Sequence, residues 1–415
     1  MLPFPAPMKA SSLLLCSLFF TVSLQADWLN FRGPNASGYD ASASSLPTTL
    51  SYETLAWEVS LPGRGLGSAV TVGDKVFVTA ASGPDQKQLH ILCFHAADGN
   101  PIWERRFWTT GRTMAHKKTS VAAPTPASDG ERIYAFYSSN DVICLDLDGN
   151  LLWLRGLTLD YPNASNSLGM SSSPLVVGDT LVVQVENDSE SFAAGLDKMT
   201  GINRWKLDRP KAANWTSPTL LSIDGQDIVA LQSREGVLGV APDTGSVIFH
   251  FGEGAATIPS STPAGDSLYI PSGGLTAITV TTDGSEPIKH WNESAQRPGT
   301  SSPLVIGDKV FIINNAGVLN CANRETGERL WRIRLERADP SATPVGPFSG
   351  SPVAGADGLI YLFSEAGIGL VVDVSGEEGT IISEIELGET ILSTATLDQG
   401  ALYIRSDEHL WKFGR

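Results

Sequence analysis

The sequence predicts an all-β fold, an eight-bladed β-propeller of four-stranded antiparallel blades closed by an N-terminal strand. Three observations predict it. Short β-branched runs joined by Gly/Asp turns recur about every 47 residues, the spacing of a four-stranded blade. Most units carry a second Gly turn followed by an aromatic residue. The final unit lacks its last strand, and Leu55-Ala56-Trp57-Glu58-Val59 supplies one from the other end of the chain, which removes the exposed edges of an open sheet.

Residues 1–26 precede this pattern. Lys9 stands before an apolar run from Ser11 to Val22, and small or polar residues lead to Ala26. This is the pattern of a secretory signal cleaved after Ala26, with Met1 or Met8 as the start. Cys16 falls inside it and follows Leu15, whereas lipid attachment requires a small residue there. Residues 27–54 are a leader segment, and 55–415 form the propeller. No further segment reaches transmembrane length, so the expected protein is a periplasmic or secreted monomer.

The first hairpin of each blade turns at Gly73-Asp74, Asp129-Gly130, Gly178-Asp179, Asp224-Gly225, Gly265-Asp266, Gly307-Asp308, Asp357-Gly358 and around Asp398 to Gly400. The second turn appears at Gly99, Gly149, Gly201, Gly245 and Gly327, each four residues before Trp103, Trp153, Trp205, Phe249 or Trp331. The fifth unit stretches this to Gly284 and Trp291, and the seventh, around Gly379, has lost the aromatic. Together with Trp57, these side chains are the expected docking residues between blades.

Composition sets outer limits. With 42% hydrophobic and 18% charged residues, 41 Gly and 25 Pro, the chain reads as folded and turn-rich. Its net charge is −16, and removal of residues 1–26 takes away one lysine and no acid, leaving −17. Such a balance argues against a partner built on a phosphate backbone. Cys93, Cys144 and Cys321 occupy one place in three blades, a place filled by Gly195 in another, so they are expected to be buried free thiols.

The signature Ser-Ser-Pro, Gly-Asp, Leu-Asp-x-x-Thr-Gly, Trp, as in Ser172 to Trp205, resembles the tryptophan-docking repeat of quinoprotein propellers. Two groups share that ring: dehydrogenases that bind pyrroloquinoline quinone with calcium on the axis, and the BamB family of outer-membrane assembly factors, which use it as an interaction surface. The chain lacks the vicinal cysteine pair of the alcohol-oxidising members and any Cys-x-x-Cys-His for haem. It also lacks the lipid-attachment cysteine expected of a BamB protein.

No Gly-x-Ser-x-Gly, His-Glu-x-x-His or Walker loop is present. The Ser-Ser-Pro runs read as backbone and turn elements, and Asp146 to Asn150 reads as a turn, since it lacks the later glutamate of a calcium loop. His90, His95, His250, His290 and His409 lie in or beside strands and are not read as ligands.

The candidate site is then the axial mouth, where the segments entering each first strand converge. They contribute Arg64, His116, Lys117, Lys118, Asn166, Asn214, Trp215, Thr257, Arg297 and Phe348. Arg105, Arg106, Arg112, Lys117 and Lys118 form a basic cluster suited to an anion, and Trp215 is the candidate for stacking on a flat ligand. The expectation is a non-catalytic binding scaffold for a protein partner or small anion, without nucleic acid. The alternatives are a dehydrogenase using pyrroloquinoline quinone and calcium, and a polysaccharide binder with Trp215 and Phe348 as platforms.

Overall fold

Eight separate sheets account for the β-rich sequence in the computed structural model, which describes residues 27–164 and 168–414. The expected signal segment and Asn166 lie outside the described residues. Blade 1 contains Val70–Val72, Lys75–Ser82, Gln88–His95 and Pro101–Trp108, antiparallel and in chain order. Blades 2 to 7 repeat this order with their innermost strands at Ala127–Ser128, Leu175–Val177, Thr219–Ile223, Thr262–Ala264, Leu304–Ile306 and Val353–Gly355. Blade 8 combines Thr396–Asp398, Ala401–Arg405 and His409–Gly414 with Leu55–Ser60, so the predicted closure by the N-terminal strand holds.

Burial follows position along the blade radius. The second strand of blade 3, Thr180–Val185, is buried at every residue because neighbouring blades cover both faces. Its outermost strand, Asn203–Asp208, places Trp205 inward between more exposed neighbours. Each outermost pairing also contains a register shift at or next to the docking position. Such bulges increase local twist and re-aim a side chain.

That side chain is the tryptophan. Trp205 lies over Gly245 of the next blade and donates its indole N–H to Pro242 O at 2.7 Å. Trp57, Trp103, Trp153 and Trp291 repeat the contact on Gly99, Gly149, Gly201 and Gly327, with indole bonds of 3.1 Å. A Cβ on Gly245, whose φ is +70°, would lie 2.7 Å from the Trp205 ring, so only glycine fits. Trp331 reaches Gly379, but its indole nitrogen has no hydrogen-bond partner among the described residues. Phe249 packs over Gly239 of its own blade and has no N–H to donate.

The cysteine reading holds for the same reason. Cys93, Cys144 and Cys321 are buried free thiols paired across the strands with Trp103, Trp153 and Trp331, and Gly195 pairs with Trp205. Burial pushes each thiol up to about 12.

The leader is woven into the ring. Trp28 is fully buried and donates its backbone N–H to Thr71 Oγ1 at 2.9 Å, while Leu29 O accepts from Ser128 N–H at 2.7 Å. The buried Arg32 guanidinium donates to the carbonyls of Ser37, Ser261 and Pro303 and to Thr262 Oγ1. With carbonyls rather than a carboxylate around it, burial lowers its pKa to about 9. Tyr39–Asp40 then pairs in parallel with the innermost strand of blade 7.

Candidate functional site

The innermost strands run from the axial mouth toward the hairpin turns. Just before each strand stands a Ser or Thr: Ser68, Thr125, Ser173, Ser217, Ser260, Ser302, Ser351 and Thr394. The backbone N–H of each of the first seven donates to the hydroxyl of the next at 2.9–3.0 Å, passing from blade 1 to blade 8. Ser68 Oγ, at the start of this chain of bonds, has no partner among the described residues. The Ser-Ser-Pro motif is thus a backbone element, as expected, and it also builds a hydroxyl crown around the axis.

Two residues earlier on each segment, on the same face of an extended backbone, stand Leu66, Ala123, Ser171, Trp215, Ile258, Thr300, Ser349 and Leu392. These residues and all of the crown except Ser68 line an axial cavity of about 420 Å³. Phe31 from the leader also lines it, carried there by the Arg32 anchor. His116, Lys118, Thr119 and Leu168 complete the wall.

Three of the expected residues meet in this cavity: His116, Lys118 and Trp215. Trp215 is fixed by its indole N–H to Gly169 O at 2.9 Å and by its backbone N–H to Thr257 O at 2.8 Å. Thr257 therefore supports the tryptophan through its carbonyl. Asn214 is buried behind it, where its amide donates to Glu186 Oε2 at 3.0 Å and Gln232 O at 2.8 Å. Burial raises the Glu186 carboxyl despite its ion pair with Arg209 at 2.7 Å. Lys118 reaches Glu365 of blade 7 at 2.8 Å, and Glu365 accepts from Ser349 Oγ at 2.7 Å.

The other expected residues that are described lie elsewhere. Arg64 pairs with Asp407 at 3.0 Å and donates to Lys117 O at 2.6 Å. Lys117 and Arg297 are exposed and do not line the cavity. Phe348 is 4% exposed, packed in the core of blades 6 and 7, and so offers no platform. The basic cluster also comes apart: Arg105 and Arg106 sit on the outermost strand of blade 1, bonded to Gly149 O and Glu104. Sequence proximity groups them with Lys117 and Lys118, but the arginines belong to the outermost strand whereas Lys118 lines the axial cavity.

The cavity residues do not suit a calcium-bound quinone. No Asp, Glu, Asn or Gln is among the described lining residues, whereas calcium takes six to eight oxygen ligands rich in carboxylates. A single lysine, already paired, faces what would be a tricarboxylate. Among the described residues, the one carboxylate and histidine group close enough to share an ion is Glu389, Glu408 and His409, outside the cavity wall. There His409 Nδ1 and Glu389 Oε1 are bonded to each other at 2.6 Å.

Fold and site together define a tryptophan-docked eight-bladed propeller with a leader-floored axial cavity. The chain belongs to the family described as outer membrane protein assembly factor BamB, whose model matches residues 49–168, 94–333 and 315–414. It is 27% identical over 226 residues to the outer membrane protein assembly factor BamB of Alkalilimnicola ehrlichii, covering 53% of this chain. It thereby spans about half (52%) of that relative's length. Among solved structures, BamB from Moraxella catarrhalis aligns with a TM-score of 0.61 at 17% identity, covering 87% of this chain and 97% of that one. A europium-containing methanol dehydrogenase aligns at 0.71 and 12%, covering 94% and 98%. The quinohemoprotein alcohol dehydrogenase of Comamonas testosteroni aligns at 0.66 and 12%, covering 94% and 81%. At these identities the structures share the fold. Among the described residues no helix is long and apolar enough to cross a membrane.

Proposed function

We propose that this protein is an exported binding scaffold that receives a protein partner at its axial face. The observation that carries the reading is the composition of the axial cavity: mostly apolar and hydroxyl side chains, with His116 and Lys118 but, among the described lining residues, without the carboxylates that a quinone and calcium site requires. Membership of a family described as an assembly factor supports a scaffold role, and the signal-like residues 1–26 support export. Trp215 and Ile258, the latter 49% exposed, offer an apolar anchor at the mouth. The sugar-binding alternative loses one of its two platforms with Phe348 buried.

A lateral surface supports a second reading. The outermost strand of blade 2 exposes Leu152 and Leu154, and Leu159 follows at 73% exposure. An edge strand bearing apolar side chains suits a protein docking from the side. The two readings are separated by partner recovery from envelope extracts using Ile258→Arg/Leu392→Arg and Leu152→Arg/Leu154→Arg variants. The axial reading expects at least a tenfold loss from the first pair and little change from the second. Loss only from the second pair transfers the function to the blade edge.

A further inference from the structure

The hydroxyl crown has a polarity that packing alone does not require. Thr125, Ser173, Ser217, Ser260, Ser302, Ser351 and Thr394 each accept a backbone N–H from the preceding blade. A hydroxyl used as an acceptor still carries its proton. Among the described residues none of these seven donates to a protein acceptor, and all are more than nine-tenths buried while lining the cavity. Thr119 lines the same space, and its Oγ1 has no partner among the described residues. The blades therefore place around the axis a ring of hydroxyls, each with a proton left to donate.

Donors without matching acceptors select a ligand rich in acceptors, and an ionised acceptor gains the most. Lys118 on the wall is neutralised by Glu365, so the selectivity rests on the crown hydroxyls and not on a free charge. Phe31, Leu66, Trp215, Ile258 and Leu392 give the wall an apolar share beside His116, Ser171, Thr300 and Ser349. An inorganic anion would leave that surface uncovered, and a cation would meet donors.

We propose that the axial cavity recognises a carboxylate carried on an apolar body, with the crown hydroxyls donating to the carboxylate and the apolar wall covering the body. This rests on the axial cavity being the binding site. The cavity volume suits a free aryl or alkyl carboxylate, or the last residue of a polypeptide with its terminal carboxylate.

Calorimetry on the full chain tests the chemistry with 3-phenylpropionate and its uncharged amide, 3-phenylpropionamide. One-to-one binding of the acid, at least tenfold tighter than the amide, is expected. Ser260→Ala should weaken the acid about fivefold or more while leaving the amide unchanged. Because that change also leaves Ser217 N–H without an acceptor, Ser260→Thr provides the control that keeps the hydroxyl and should retain the acid. Two hexapeptides ending in Phe, one with a free and one with an amidated terminus, separate the sources. Binding of the free-terminus peptide assigns a chain end, and binding of the small acid alone assigns a free carboxylate. Equal affinity for acid and amide overturns the carboxylate while leaving axial binding intact. No binding of acid or peptide, with partner recovery still lost in Ile258→Arg/Leu392→Arg, overturns the carboxylate alone. No binding together with unchanged recovery overturns both readings.

Discussion

The seam between blades 3 and 4 and the seam between blades 7 and 8 solve one problem in two ways. At the first, Trp205 docks on the Gly245 turn and bonds to Pro242 O. At the second, the corresponding place opposite Val371 is held by Ser383. The turn on which a tryptophan would dock is missing there, because the last two strands of blade 8 come from opposite ends of the chain. The leader fills the gap: Leu46 and Leu50 enter the core shared by blades 7 and 8, and Leu50 N–H donates to Ser383 Oγ at 2.9 Å. Tyr361 Oη also donates to Pro47 O at 3.0 Å. Closing a ring with the chain termini removes one docking turn, and the residues preceding the closing strand replace its function.

The difference predicts a graded set of losses. Trp205→Ala should cost about 3–5 kcal/mol in denaturant unfolding, since it empties a packed seam and deletes an indole bond. A cost below about 1 kcal/mol would show that the seam does not depend on docking. Leu50→Ala should cost about 2–4 kcal/mol by the same measurement, which places the leader among the structural elements of the ring. Ser383→Trp sharpens the contrast: with no glycine turn opposite and Leu50 in the way, it should destabilise by about 1–3 kcal/mol rather than restore a dock. Ser383→Ala should cost about 1–2 kcal/mol, since the Ser383 hydroxyl both accepts from Leu50 N–H and donates to Leu50 O.

A pH effect belongs to the same leader-bound region. Asp398 is buried, and its carboxyl is pushed up to about 7 by burial and by Asp27 and Asp40 of the leader, opposed by Thr71 and Lys412. The folded protein then holds this proton more tightly than the unfolded chain. Stability contributed by the neutral acid is full below about pH 4 and is lost as pH rises toward 7. Asp398→Asn should flatten that slope in thermal melts between pH 4 and 8. An unchanged slope would assign it to other groups.

Much of the ring was legible because blades repeat. The hairpin turns, the docking tryptophans and the shared place of Cys93, Cys144 and Cys321 all recur with the blade period, and each is a packing requirement repeated in space. The leader does not repeat, so nothing in its spacing announced that Trp28 would be buried or that Phe31 would line the cavity. The crown was partly visible. Ser-Ser-Pro was read as a turn element, whereas a Ser or Thr at one place in all eight blades was the signal for a ring on the axis. Residues read into the mouth or its basic cluster fared worst: Phe348 and Arg105 follow the packing of their own blades.

On the proposed reading the axial mouth, and not a blade edge, receives the partner. Site-specific photo-cross-linking tests it most directly, with the reactive group at position 258 in one sample and at position 152 in another. The account predicts a discrete adduct from position 258, suppressed by Trp215→Ala, and none from position 152. An adduct from position 152 alone would contradict it.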